Sequence, residues 1–213
     1  SQRQGLNCAL MVVDLDRFKN INDIIGHEAG DQLLKQIAAR LHTCLRDGDV
    51  LDCGAFRLRA VHTPGHASHH VSFFEADSGI AFVGDTAGVQ IVEDGFVLPP
   101  TPPPDIDLAL WERSLATIEQ WRPHTLFLTH FGPSTTPTLH LAELREHLAF
   151  VADLARQSLE REGDDSLKES WFVERLRLEL RRRMSDAEAS AYETSARFDL
   201  NWRGLARYWR KKG

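Results

Sequence analysis

Cysteine is scarce in this 213-residue chain: Cys8, Cys44 and Cys53 are an odd number, and their spacing matches no paired metal finger. A disulfide scaffold and a zinc finger are therefore excluded, and the thiols fit a reducing, cytoplasmic setting. Long apolar runs are also missing. No stretch of 18 apolar residues occurs, and mean hydropathy is −0.32, which excludes a spanning helix and predicts no membrane partner. The polar start, Ser1 to Gly5, carries no sign of a secretory leader. No internal repeat is visible. Positive charge is thin in the middle of the chain, where residues 51–137 hold four basic and ten acidic side chains. A duplex-binding surface needs the opposite sign there, so no nucleic-acid partner is expected.

That acidic block also holds six of the ten histidines, and carboxylates gathered with imidazoles attract divalent cations. The flanks are nearly neutral, with six basic and seven acidic residues in 1–50 and fifteen and fourteen in 138–213. The basic stretch from Arg203 to Lys212 reads as the solvated last turn of a helix, which the macrodipole favours.

Leu6 to Val13 is an unbroken apolar run suited to a buried strand. After Gly30-Asp31, the residues Leu33, Leu34, Ile37, Leu41 and Leu45 share one helical face. From Val50 the period changes to two: Phe56, Leu58 and Ala60 alternate with Arg57 and Arg59, as in a half-buried strand. His70 to Phe74 and Ile80 to Val83 flank Asp77-Ser78-Gly79, a hairpin signal. Leu98 to Asp105 contains five prolines in eight residues and predicts an extended surface loop. Ile106 to Trp121 reads as a helix and Leu126 to Thr129 as a strand. From Leu139 the rest is helical, divided at Glu162-Gly163-Asp164-Asp165. Phe73, Phe74, Phe82 and Phe127 are expected in the core, most tryptophans in the core or an interface, and His124, His140 and His147 at the surface. Trp171-Phe172 is expected to open a helix with an unassigned partner.

Two resemblances meet in this chain. Asp14-Leu15-Asp16-Arg17-Phe18-Lys19, Asn22-Asp23, Gly26-His27 and Gly30-Asp31 together resemble the opening of a diguanylate cyclase domain, over about residues 5–47. The resemblance implies that Asp14 binds magnesium, that Lys19 faces phosphate, and that Asn22 and Asp31 recognise guanine. The Gly-Gly-Asp-Glu-Phe hairpin that should follow is absent, so cyclase activity is not expected.

From about residue 48 onward, His62-Thr63-Pro64-Gly65-His66, Gly84-Asp85-Thr86 and Leu128-Thr129-His130-Phe131-Gly132 resemble the C-terminal half of a metallo-β-lactamase-fold hydrolase. The resemblance implies that His66, Asp85 and His130 are metal ligands, with Asp85 bridging two zincs in the full enzyme. The superfamily's His-x-His-x-Asp-His motif does not occur in this sequence. The chain therefore looks chimeric, joined near Arg46-Asp47-Gly48-Asp49.

The expected organisation is a cyclase-derived strand–helix segment over 1–47, a metallo-β-lactamase-like half with the metal motifs over 48–137, and a helical C-terminal region over 138–213. The fold class is α/β: a half sandwich of mixed sheet and flanking helices, with an N-terminal grafted β-α unit and a C-terminal helical cap. One sheet of the usual two is present, which leaves an apolar face for a second chain and predicts a homodimer.

Asp14 and Asp16 end the apolar strand Ala9 to Val13, as the missing histidines end theirs. Residues two apart on a strand point the same way, so both can face the metals. Asp14 is the expected fourth ligand; Asp16 either stands behind the ligands or is a solvated turn residue. His27 is an extra ligand or part of a helix-start turn. His69 and His70 are expected beside the ligands or facing a small-molecule substrate, and His62 is expected to orient the loop. Zinc, one or two ions, is the expected metal, with manganese, iron or magnesium as alternatives if Asp14 adds oxygen. The function class that follows is a metal-dependent hydrolase, in which a metal-bound hydroxide attacks an ester, lactone, thioester or phosphoester, phosphotriesters included. Two competing classes are an inert chimera that binds metal weakly and a nucleotide-binding module using Lys19, Asn22 and Asp31.

Overall fold

A computed structural model describes residues 46–52, 57–92, 95–129 and 132–213. The expected N-terminal strand and helix, with Asp14, Asp16, Lys19, Asn22, His27 and Asp31, lie outside them, as does His130. The two-residue alternation folds as strands β1 (Val50–Asp52), β2 (Arg57–His62), β3 (Val71–Glu75) and β4 (Ile80–Phe82). Strands β5 (Thr125–Phe127) and β6 (Pro133–Ser134) complete one sheet, ordered as in the sequence. All neighbours are antiparallel except β4 and β5. A parallel pair needs a long crossover, supplied by a 3-10 turn (Gly84–Ala87), the proline-rich segment and helix α1 (Leu108–Gln120).

The β3–β4 turn forms because the Glu75 carboxylate accepts the N–H groups of Asp77 and Ser78, at 3.3 and 2.6 Å. Helix α1 starts where the Asp107 side chain accepts the Leu110 N–H at 2.9 Å. The C-terminal region holds α2 (Pro137–Leu159), α3 (Asp165–Arg183), α4 (Asp186–Ala196) and α5 (Phe198–Lys212). Two breaks appear there beyond the one read from the sequence. Ser185 and Glu188 form a reciprocal capping box, and Arg197 turns the chain with φ +42°. Trp171 and Phe172 do not open a helix: α3 begins six residues earlier at Asp165, because Asp164 caps it by accepting from Leu167 N–H.

The sheet's two faces differ. Arg59, Phe74, Ala81 and Leu126 are cross-strand partners on one face. Phe74 stacks on Trp121 at 5.2 Å, and the Arg59 guanidinium lies over both rings. Phe74, Ala81 and Leu126 join the core with Trp111, Leu115 and Ile118 of α1, and this core continues through Leu141, Leu144 and Val151 of α2 into α3 and α5. The opposite face carries the row Ala60, Phe73, Phe82 and Phe127. Of the four phenylalanines expected in the core, only Phe74 is there. Phe73, Phe82 and Phe127 point to the other side, and Phe127 is 37% exposed.

The proline-rich segment is also not the surface loop expected from its composition. Leu98 and Thr101 are fully buried. Prolines carry carbonyls but no N–H groups, and the Pro100 carbonyl finds its partner in the His66 ring inside the protein. Among the described residues no helix is long and apolar enough to cross a membrane.

Candidate metal centre

Three segments converge at the ends of β2 and β4. The first is the loop after β2, which carries His66. Gly65 has φ +138°, and a Cβ there would lie 2.3 Å from the Trp111 Cα, so only glycine lets the loop touch α1. Two hydrogen bonds fasten it: Ser114 Oγ donates to Pro64 O at 2.6 Å, and Asp107 N–H donates to Gly65 O at 2.9 Å. The His66 ring then rests edge-on to the Trp111 indole, with centroids 5.7 Å apart.

The second segment is the 3-10 turn that carries Asp85. Its carbonyls are held from behind. Trp111 Nε1 donates to Thr86 O at 2.7 Å, His140 Nε2 donates to Ala87 O at 2.8 Å, and Thr86 Oγ1 donates to Thr63 O at 3.2 Å. Gly84 must be glycine here, because a Cβ would sit 2.5 Å from His70 Nε2.

The third segment is the proline-rich one. His66 Nδ1 lies 2.8 Å from Pro100 O. A carbonyl only accepts, so Nδ1 carries a proton, and in the neutral ring Nε2 presents a lone pair. That lone pair faces the Asp85 carboxylate, with Nε2 to Oδ2 at 3.6 Å. A hydrogen bond is shorter than this. Zinc holds imidazole nitrogen and carboxylate oxygen at about 2.0–2.2 Å each, which in a tetrahedron sets the donors roughly 3.3–3.6 Å apart. Spacing, tautomer and donor chemistry of His66 and Asp85 therefore fit a shared divalent cation. Among the described residues no group of three or more His, Cys, Asp or Glu side chains is gathered for a metal. His130 and Asp14, the other expected ligands, lie outside the described residues.

The remaining histidines divide clearly. His70 Nδ1 bonds Thr63 Oγ1 at 2.9 Å, and Thr63 Oγ1 bonds Ser72 Oγ at 2.8 Å. Burial, with His66, His69 and His62 nearby, pushes the His70 pKa down to about 3, so the ring is neutral. His69 is exposed on the loop and His124 is exposed before β5. His62 Nε2 bonds Ser68 O at 2.8 Å, tying the start of the loop to its middle.

His140 and His147, expected at the surface, are buried on α2, 2% and 5% exposed. Their ring nitrogens serve carbonyls 53 and 50 residues away, Ala87 O and Val97 O, which no local pattern signals. Sequence reasoning also missed Trp111 and the Pro100 carbonyl. A run of residues with carbonyls and no N–H groups was the available signal for the latter.

The join is itself structured. Gly48 N–H donates to Ala60 O, Ala60 N–H to Asp49 O, and His62 N–H to Asp47 Oδ1, all at 2.8 Å. Residues 47–49 are thus bonded to β2 at the end that leads into the His66 loop.

Comparison with known proteins bears out the composite reading. The family model described as "Diguanylate cyclase, GGDEF domain" matches residues 1–52. The cyclic di-GMP phosphodiesterase NbdA of Pseudomonas aeruginosa is 44% identical over 72 residues, 32% of this chain and 9% of that protein. The metallo-beta-lactamase fold-containing protein ST1585 of Sulfurisphaera tokodaii is 35% identical over 101 residues, 47% of this chain and 36% of that protein. Among solved structures, the metallo-beta-lactamase family protein TTHA1429 of Thermus thermophilus matches with TM-score 0.54 at 24% identity, over 79% of this chain and 49% of that one. The chain thus spans well under two thirds of the length of each of these relatives. Its start is similar to cyclases, and the sheet with its helices has the metallo-β-lactamase fold.

Proposed function

We propose that the chain is a metal-dependent hydrolase acting on esters, lactones or phosphoesters. The observation that carries this reading is His66 Nε2 facing Asp85 Oδ2 at 3.6 Å, with Pro100 O fixing the His66 tautomer. His66 and Asp85 would hold the ion, together with His130 and, from the N-terminal segment, Asp14. Zinc ranks first for the imidazole donors; manganese, iron or magnesium gain if Asp14 contributes. A divalent cation bound there acidifies a water and polarises a carbonyl or phosphoryl oxygen.

The protein's own groups do the positioning. The Pro100 carbonyl keeps the proton on Nδ1 and raises the basicity of Nε2. Trp111 closes the rear of the site to water and holds the turn beneath Asp85 through Thr86 O. Neutral His70 adds no positive charge that would repel a cation. A centre with few positioned side chains favours activated substrates, phosphotriesters among them.

Elemental analysis of the purified chain tests this, run beside His66→Ala and Asp14→Ala with activated-ester and phosphotriester assays. About one or two divalent ions per chain, lost with turnover in His66→Ala, is the expected result. Metal-free protein with no turnover would leave an inert chimera. A further loss in Asp14→Ala would assign the cyclase-like segment a ligand. A nucleotide-binding role is supported by the family match over residues 1–52. It predicts thermal stabilisation by guanosine triphosphate with magnesium, abolished in Asp31→Ala.

A further inference from the structure

A cavity of about 380 Å³ lies where α2, α3 and α4 meet Gly95 and Phe96, and none of its lining residues belongs to the candidate metal centre. That is the small end of the range for ligand pockets, roughly 300–1,000 Å³. Its wall is built around Phe96. The His147 ring stacks on Phe96 with centroids 3.8 Å apart, the Arg183 guanidinium carbon lies 5.5 Å from the Phe96 centroid, and Tyr192 meets the ring edge-on. Two hydrogen bonds fix the guanidinium further: Nε donates to Glu179 at 2.8 Å, and Nη1 donates to His147 Nε2 at 3.2 Å. His147 can accept there because its Nδ1 proton goes to Val97 O. A guanidinium has five N–H donors, so these two bonds leave three of them on a group already held in place.

Negative charge borders the same space. Glu143 of α2 and Glu188 of α4 line the cavity, and both are half-buried. Glu188 is engaged with Ser185 in the capping box, whereas Glu143 has no ion pair or hydrogen bond with a described residue. Phe96 and Met184 add apolar surface. This set disfavours simple ions of either sign. A lone anion that reaches Arg183 also meets two carboxylates. A metal ion lacks ligands, because both His147 nitrogens are engaged and no group of three or more suitable side chains is gathered among the described residues. A molecule with a carboxylate and an ammonium on one carbon suits both ends. Its carboxylate can take two parallel guanidinium N–H groups, its ammonium a carboxylate, and its side chain the apolar wall.

We infer that this cavity binds a free α-amino acid with an apolar side chain, carboxylate on Arg183 and ammonium toward Glu143. The inference stands apart from the proposed hydrolase activity. The test uses the full chain with heavy carbon in its methionine methyl groups. There are two methionines, Met11 and Met184, and a Met11→Leu variant identifies the Met184 signal. L-Leucine, L-valine and L-phenylalanine are titrated separately. The expected result is a saturable shift of the Met184 methyl with at least one of them, at a Kd of about 1 mM or tighter. The amide of that amino acid, which lacks the carboxylate, and its N-acetyl derivative, which lacks the ammonium, should each bind about tenfold or more weakly. Arg183→Lys and Glu143→Gln, checked for folding by circular dichroism, should show the same loss. No shift with any of the three at about 10 mM, or equal binding of the blocked derivatives to the unaltered protein, would overturn the inference. Full affinity in Glu143→Gln would overturn it as well.

Discussion

Asn201→Ala probes whether the last helix supports the proposed metal centre. Asn201 is 2% exposed on α5, and its Oδ1 accepts the N–H of Thr101, which is fully buried, at 2.8 Å. Alanine leaves that N–H without an acceptor, while the bond from Thr101 Oγ1 to Asn201 O survives because it uses the backbone. Stranding one buried donor costs about 2 kcal/mol, within the usual range of about 1–3. In a domain of this size that lowers Tm by roughly 4–8 °C. The site should respond too, because Thr101 follows Pro100, whose carbonyl fixes the His66 tautomer. Loss of a direct partner of a ligand weakens metal binding about tenfold or more, so Asn201→Ala, one bond further out, should weaken it less than that. Denaturant titration and zinc competition with a chromophoric chelator measure the two effects. Thr101→Val removes only the Oγ1 bond and should cost about 1 kcal/mol. A loss below about 0.5 kcal/mol in Asn201→Ala, within the range of an ordinary surface change, would refute the reasoning.

Further outcomes are expected. Gly65→Ala drives a Cβ against the Trp111 backbone at φ +138°, and should cost at least about 2 kcal/mol, read by denaturant midpoint, and displace His66. Trp111→Phe removes the indole donor to Thr86 O, and should lose about 1–3 kcal/mol and loosen metal binding through Asp85. His140 and His147 are held below 6.5 chiefly by burial, so the unfolded chain binds protons more readily than the native one. Their contribution to stability is present above about pH 6.5 and is lost as the pH falls. Denaturation midpoints should therefore drop from pH 7.5 to pH 5.5, and less so in His147→Gln. Arg177 holds the Glu193 carboxyl below its usual range, so this link between α3 and α4 contributes above the ordinary carboxyl pKa of 4.5 and fades under more acid conditions.

What was legible in the sequence is what local rules dictate. The alternation around Ala60 read as a strand because a strand has period two. Asp77-Ser78-Gly79 read as a turn because those residue types favour one, and Gly79 takes φ +69° there. His66 and Asp85 were legible as partners only through resemblance, since nothing local brings residues 19 positions apart to 3.6 Å. The misplaced histidines and phenylalanines share one cause: their partners are distant in the chain, whereas the Asp164 cap and the Ser185–Glu188 capping box were local signals left unread. His140 and His147 read as surface residues because polar side chains on helices usually are, and their carbonyl acceptors lie some fifty residues away. The phenylalanines were placed correctly on strands and wrongly in one core, because a single sequence does not state which side of a sheet is filled first.

The segment from Val89 to Thr101 has a consequence for how this protein tolerates change. Phe96 O accepts from Tyr192, Val97 O from His147, Leu98 O from Val89 and Pro100 O from His66, while Thr101 N–H donates to Asn201. Backbone atoms make the segment's side of every one of these bonds, so they survive side-chain changes that keep the core packing of Phe96, Val97 and Leu98 and the Thr101 hydroxyl. The segment's length is not free. One residue inserted or deleted between Phe96 and Thr101 puts several of these partners out of step at once, from the C-terminal helices to His66. The segment works as a ruler: tolerant in spelling, intolerant in count.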